Sequence, residues 1–203
     1  MSLNFCNNNS LSAITALPAS ISGGGLNLIS TQTASSSATI SFTSGIDSTY
    51  KEYIFKFINI HPATDEAHLT FQGSTDGGSS YGVNITSSYI LAYHAEDDSE
   101  ATLTYQAASD LAQSTSFQRL LHGIGNQNDE SAAGTLHLFD PSNTTFVKHF
   151  IASGSSYNAS GSGYEYNTYP AGYFNTTSAI DAIQFKMSSG AIDSGVIKLY
   201  GVS

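Results

Sequence analysis

Ser37–Phe71 reads SATISFTSGIDSTYKEYIFKFINIHPATDEAHLTF, and its rhythm decides the fold. Ala38–Ser44, Tyr53–Ile60 and the run that starts at Ala67 alternate large with small or polar residues. Ser-Gly-Ile-Asp-Ser-Thr and His-Pro-Ala-Thr-Asp separate them. A period of two sends successive side chains to opposite faces of a strand, and Gly, Pro, Asp and Ser close the corners. In the middle run Tyr53, Phe55 and Phe57 make one aromatic face, and Ile54, Lys56, Ile58 and Ile60 make the other. The stretch predicts antiparallel sheet and holds no residue set that performs chemistry.

The same pattern extends outward. Leu26–Thr31 precedes it; Tyr81–Ile85, Tyr89–His94, Ala101–Gln106 and Ser116–Ile124 follow. Gly134–Asp140, Phe146–Ser153, Gly172–Asn175, Ala182–Ser188 and Val196–Val202 complete the predicted strands. One short helix is expected, over Ser109–Gln113. Ser153–Pro170, SGSSYNASGSGYEYNTYP, reads as a long surface loop. Many short strands with frequent turn signals, and no fixed-period repeat, predict an all-β, antiparallel two-sheet β-sandwich over 26–203, with a jelly roll as the specific expectation. Residues 1–25 differ. They are polar, dotted with Leu11, Ile14, Leu17 and Ile21, and they close on Gly23-Gly24-Gly25. An N-terminal arm with a glycine hinge, packed on a neighbouring subunit or a larger assembly, fits that composition; the alternative is a coil docked on its own domain.

Composition bounds the function. Only 11% of the 203 residues are charged, and six Lys plus Arg stand against sixteen Asp plus Glu, giving a net charge of −10. Such a surface repels phosphate backbones and anionic bilayers, so neither nucleic acid nor membrane is an expected partner. Cys6 is the sole cysteine, which excludes an intrachain disulfide scaffold. The N-terminus has no basic region followed by an apolar run, so no export signal is expected.

Candidate motifs are sparse. Ser74–Tyr81 resembles the Asp-box, S-x-D-x-G-x-x-W, with Tyr81 in the Trp position; a single copy reads as a β-hairpin tip stapled by Asp76. Glu96–Glu100 gathers acidic groups, and Asp97, Asp98 and Glu100 are the weak Ca²⁺ candidates because hard cations need converging oxygens. The six histidines have no close ligand spacing, and interior or edge positions are expected for them. Gly123–Asn128 reads as a turn, and no G-x-S-x-G elbow anchors a hydrolase triad. No motif calls for a cofactor. Tyr157, Tyr164, Tyr166 and Tyr169 form a possible recognition surface, since tyrosine gives a rigid amphipathic contact at small entropic cost.

The wording LNLISTQTASSSATISFTSGIDSTYKEYIFKFINIHPATD over Leu26–Asp65 resembles a family of virion structural proteins from marine tailed phages, especially cyanophages. The likeness continues in FQGSTDGGSSYG, GTLHLFDPSNTTFVKHF and AGYFNTTSAIDAIQFKMSSGAIDSGVIKLYG, covering most of 26–203. The resemblance implies a non-enzymatic particle component located in the virion and released by lysis. The expectation drawn from it is a capsid decoration or cement protein, a homotrimer that contacts the major capsid protein or other virion proteins through its arm. A tail or fibre module binding host-surface glycan through the tyrosines is the alternative, and a glycan depolymerase the remote one.

Overall fold

The computed structural model describes residues 25–203, and every regular element among them is a strand. In chain order these are β1 (Leu26–Ser37), β2 (Ile40–Phe42), β3 (Glu52–Pro62), β4 (Ala67–Ser74), β5 (Ile85–Ala95) and β6 (Ala101–Tyr105). Then come β7 (Gln118–Ile124), β8 (Ala132–Phe139), β9 (Lys148–Asn158), β10 (Tyr164–Phe174), β11 (Ala182–Met187) and β12 (Ile192–Val202). An eight-stranded sheet runs β1-β12-β3-β8-β9-β10-β5-β6, and a four-stranded sheet runs β2-β11-β4-β7. All pairings are antiparallel, and the two sheets pack as a β-sandwich.

Four pairs are nested: β1 with β12, β2 with β11, β3 with β8, and β4 with β7. The chain runs out along one member of each pair and returns along the others in reverse order. Two further hairpins, β5–β6 and β9–β10, are inserted in this nest, and both widen the larger sheet past the edge of the smaller.

Phenylalanines fill the space between the sheets. Phe185 of β11 meets Phe55 and Phe57 of β3 at 5.2 and 5.3 Å between centroids. Phe71 of β4 meets Phe150 of β9 at 5.0 Å and Phe174 of β10 at 5.8 Å. These are edge-to-face contacts, each contributing about 0.5–1.5 kcal/mol beyond burial. The aromatic face predicted at Tyr53, Phe55 and Phe57 is therefore the core face.

Ile60 does not lie on the opposite face as alternation predicts. A bulge at Ile58–Asn59, with Asn59 at φ +50°, adds one residue and turns Ile60 inward to full burial. Gly195 on β12 makes room for it: at φ +126°, a Cβ there would stand 2.7 Å from the Asn59 carbonyl oxygen and 2.9 Å from Ile60 Cα.

Three other expectations are corrected. Ser153–Pro170 is not a surface loop but most of the β9–β10 hairpin, because its inward positions are small or polar yet buried: Ser156, Asn158 and Thr168. Ser156 donates to the His122 carbonyl and Asn158 to the Gly123 carbonyl, which ties the hairpin to β7. Ser109–Gln113 is turn and irregular chain rather than helix, spent on hydrogen bonds to β5 through Ser87 and Thr86. The Ser74–Tyr81 turn does not tip a hairpin, since β4 and β5 belong to different sheets, and Tyr81–Asn84 is not strand. Asp76 does staple that crossover, accepting from the Ser80 N–H at 2.9 Å and from Ser74 Oγ at 2.6 Å.

Candidate functional site

The outward side of the smaller sheet is closed by chain. Thr70, Gln72 and Ser74 point that way and are buried, and Gln72 Nε2 donates to the carbonyls of Val83, Thr115 and Ser116 at 3.0–3.1 Å. The outward side of the larger sheet is bare. Cross-strand register places Leu28, Tyr200, Ile54, His137, Ile151 and Ala171 in one row across it. Tyr169, Ile90 and Tyr105 form a second row. Among the described residues, eight of the nine exposed large hydrophobic ones lie on this face, Phe146 being the exception. Leu103, at 73% exposed, is the most open of all.

Charge on that face is concentrated on β12, β3 and β8, which lie between β1 and β9. Glu52 bonds His137 at 2.6 Å, and Lys56 sits 5.4 Å from the Tyr200 ring centroid. Strands β9, β10, β5 and β6 present no Lys, Arg or Asp there, and a single carboxylate, Glu165. Contiguous apolar surface with few charges is the mark of an interaction surface rather than of ordinary solvent-facing sheet. Leu26 and Leu28 carry the face to the point where residues 1–25 join the sandwich. The arm residues Leu11, Ile14, Leu17 and Ile21 lie outside the described residues.

The four singled-out tyrosines divide between the two faces. Tyr157 and Tyr169 point outward, with Tyr157 Oη donating to Glu96 at 3.2 Å. Tyr164 and Tyr166 point inward, where β10 has run past the edge of the smaller sheet, and Tyr93 of β5 joins them through its register with Tyr166. The three ring centroids lie 5.8–5.9 Å apart. His122 of β7 packs on Tyr166 at 5.1 Å, and His68 packs on His122 at 4.8 Å. Glu66, His68, His122, Gly123, Asn158 and Tyr166 line a pocket of ≈ 250 Å³.

Burial, with the Arg119 charge nearby, holds the His122 imidazole down at about 4 and that of His68 at about 3, so both are neutral at ordinary pH. His68 Nδ1 accepts the Gly123 N–H at 2.7 Å. Burial first, then the Glu66 carboxylate, raises the Tyr166 phenol. Tyr93 and the two histidines escape a reading by sequence because they lie far from the tyrosine run along the chain. Only the β10–β5 register and the β7 edge bring them to it.

The acidic loop disperses its carboxylates. Asp97 accepts the Ser99 N–H at 3.0 Å, Asp98 faces His94 at 3.2 Å, and Glu100 accepts from Tyr93 Oη at 2.7 Å. Among the described residues no three His, Cys, Asp or Glu side chains gather as a metal site. No described helix is long and apolar enough to cross a membrane.

The fold defines an antiparallel β-sandwich with a bare apolar sheet face and an aromatic cleft on the other side of the same strands. Compared with protein-family models, curated proteins and solved structures, the chain matches none.

Proposed function

We propose that the chain is a non-enzymatic structural component of a phage particle, a decoration or cement protein that binds the outside of the head and stabilises it. The observation that carries the reading is the outward face of the larger sheet, which holds eight of the nine exposed large hydrophobic residues among those described. A protein of net charge −10 approaches an assembly best through the part of its surface that bears least charge. That part is the β9–β10–β5–β6 half of the face. Residues 1–25 leave the sandwich at β1, on the other side of β12, β3 and β8 from this half, and make a second point of attachment to the same assembly. Neighbouring copies in a trimer cover the exposed edge of β1, whose 12 residues otherwise offer unpaired backbone groups.

The nested pairing β1–β12, β2–β11, β3–β8, β4–β7 supports reading the sandwich as a jelly roll with two inserted hairpins. That architecture recurs in viral capsid domains and in lectins. Because one architecture serves many functions, the surface carries the argument and the topology accompanies it.

The experiment is incorporation into particles. A Leu103→Asp/Ile151→Asp protein keeps its thermal midpoint, since both side chains are exposed, and is lost from purified particles. Deletion of residues 1–25 does the same. Wild-type copy number in both variants would sink the reading.

A further inference from the structure

We propose that Lys56 and Lys198, side by side on the outward face of the larger sheet, receive a carboxylate of the protein on which that face docks. The partner presents an aspartate or glutamate set among apolar side chains. This rests on the docking reading proposed above and names the chemistry of what docks.

The first support is the register. Lys56 of β3 and Lys198 of β12 are direct cross-strand partners. Both point outward, since their chain neighbours Phe55, Phe57, Ile197 and Leu199 are buried in the core. Side chains directly opposed on an antiparallel pair have Cβ atoms about 4.5–5.5 Å apart, and like charges so placed destabilise the pair. The chain has six Lys plus Arg, and two of them stand in this unfavourable relation. Guarding a sheet edge, a common use of exposed lysine, does not account for them. They lie on the second and third strands of the sheet, inside the edge strand β1. A local rule broken without local compensation marks a functional position.

The second support is the lack of a counter-charge. The row that holds the doublet runs Thr31, Lys198, Lys56, Thr135 and Ser153, three hydroxyls and no acid. Lys56 lies over the Tyr200 ring, 5.4 Å from its centroid. Among the described residues neither lysine forms an ion pair with a carboxylate. Glu52, on the same side of β3, is four residues from Lys56, roughly 13 Å along an extended strand, and is engaged by His137. Asp193, on β12, accepts from Ser36 Oγ at 3.0 Å.

Position supplies the rest. The doublet lies between the β9–β10–β5–β6 half of the face and β1, so a partner that spans both points of attachment covers it. Covering unpaired ammonium groups is costly, and a carboxylate bonded to them offsets that cost. The flanking pairs are apolar or aromatic: Tyr200 with Ile54 on one side, Val196 with Ile58 on the other. The anion therefore arrives among apolar contacts, as a single side chain of a protein does. A polyphosphate is disfavoured, because the net charge of −10 repels it at long range while two lysines attract it.

The test rebinds the purified full-length chain to particles assembled without it, then adds a carbodiimide, which couples a lysine amine to a carboxylate in contact with it. Mass spectrometry should find Lys56 or Lys198 linked to an aspartate or glutamate of another virion protein. Affinity for the particle should fall at least about 30-fold in Lys56→Gln/Lys198→Gln and hold in Lys56→Arg/Lys198→Arg. The thermal midpoint of the glutamine variant should stay level or rise, since a repulsion is removed. Wild-type affinity in that variant, alongside loss of binding in Leu103→Asp/Ile151→Asp, overturns the doublet and leaves the docking reading standing. Failure of the wild-type chain to bind particles overturns both. Links confined to carboxylates of this same chain, or binding of a short DNA duplex that the glutamine variant loses, give the site to another occupant and overturn the proposal.

Discussion

Replacing Gly154 with alanine tests how β7 comes to lie against the larger sheet. Gly134 and Gly154 are register partners on β8 and β9, leaving a dimple where two Cβ atoms would stand. Leu121 of β7, itself buried, fills it. A Cβ on Gly154 would lie 2.1 Å from Leu121 Cδ2 and 2.9 Å from the Ala133 carbonyl oxygen. The first contact is far inside van der Waals range, so Gly154→Ala should cost about 1–3 kcal/mol by overpacking. Leu121→Ala should cost about 2–5 kcal/mol by leaving a cavity. The double variant is the informative one. Leu121→Ala removes the carbon that the new methyl strikes, so the second substitution should add about 1 kcal/mol or less, a coupling on the order of 1–2 kcal/mol. Urea denaturation of the four proteins, followed by circular dichroism and tyrosine fluorescence, measures the cycle; the chain has 12 Tyr and no Trp. Additivity within about 0.5 kcal/mol would refute the dimple as the feature that seats β7.

Three further outcomes follow from single observations. Glu130 is 2% exposed and accepts the backbone N–H groups of Gln127 and Ala159, so Glu130→Ala should destabilise by about 2–4 kcal/mol, and Glu130→Gln by less, in chemical denaturation. Gly195→Ala places a methyl against the backbone of the Asn59 bulge at positive φ and should cost about 1–3 kcal/mol; an unchanged unfolding midpoint would show that the bulge yields freely. The neutral His68 and His122 make stability depend on acid. Their folded values lie near 3 and 4 against 6.5 when unfolded, so the unfolded chain binds protons first, and stability should decline as pH falls from about 6.5 toward 4. Asp76, held near 2 by Ser74 and Ser80, acts only below about pH 4, so a His68→Gln/His122→Gln protein should flatten the upper window alone.

The strands that sequence reveals are those that are apolar on one face. In β3, β4, β11 and β12 large side chains recur at every second position because the opposing sheet demands them, and the alternation is plain in the letters. The β9–β10 hairpin obeys the same period in a different alphabet. Its inward residues include Ser156, Asn158 and Thr168, which are buried against β7 by hydrogen bonds rather than by apolar contact, so the segment reads as loop. Bulges are equally silent. Nothing in YIFKFINIHP announces that Asn59 turns left-handed and reverses the side on which Ile60 falls. The site was half legible: a tyrosine-rich run stood out, but which tyrosines share a face depends on the β9–β10 register, and their partners come from β5 and β7.

The least charged half of the outward face belongs to β9, β10, β5 and β6, the hairpins inserted in the nest, and the reason is mechanical. Apart from the edge strand β1, the nested strands face the opposing sheet, so their inward side chains are committed to the core. Strands β10 and β5 bury Thr168, Phe174, Ile85, Tyr89 and Leu91 on their inward side, while their outward side stays bare. A strand alternates its side chains, so the same two strands put Tyr169 and Ile90 on one side and Tyr166 and Tyr93 on the other. Leu103→Asp/Ile151→Asp should therefore abolish particle incorporation yet leave the thermal midpoint unchanged, and Tyr166→Ala, on the inward side, should lower the midpoint yet leave incorporation of the folded protein intact. If instead each change disturbed both readouts in folded protein, the two faces would be coupled through the sheet, and the separation argued from alternation would fail.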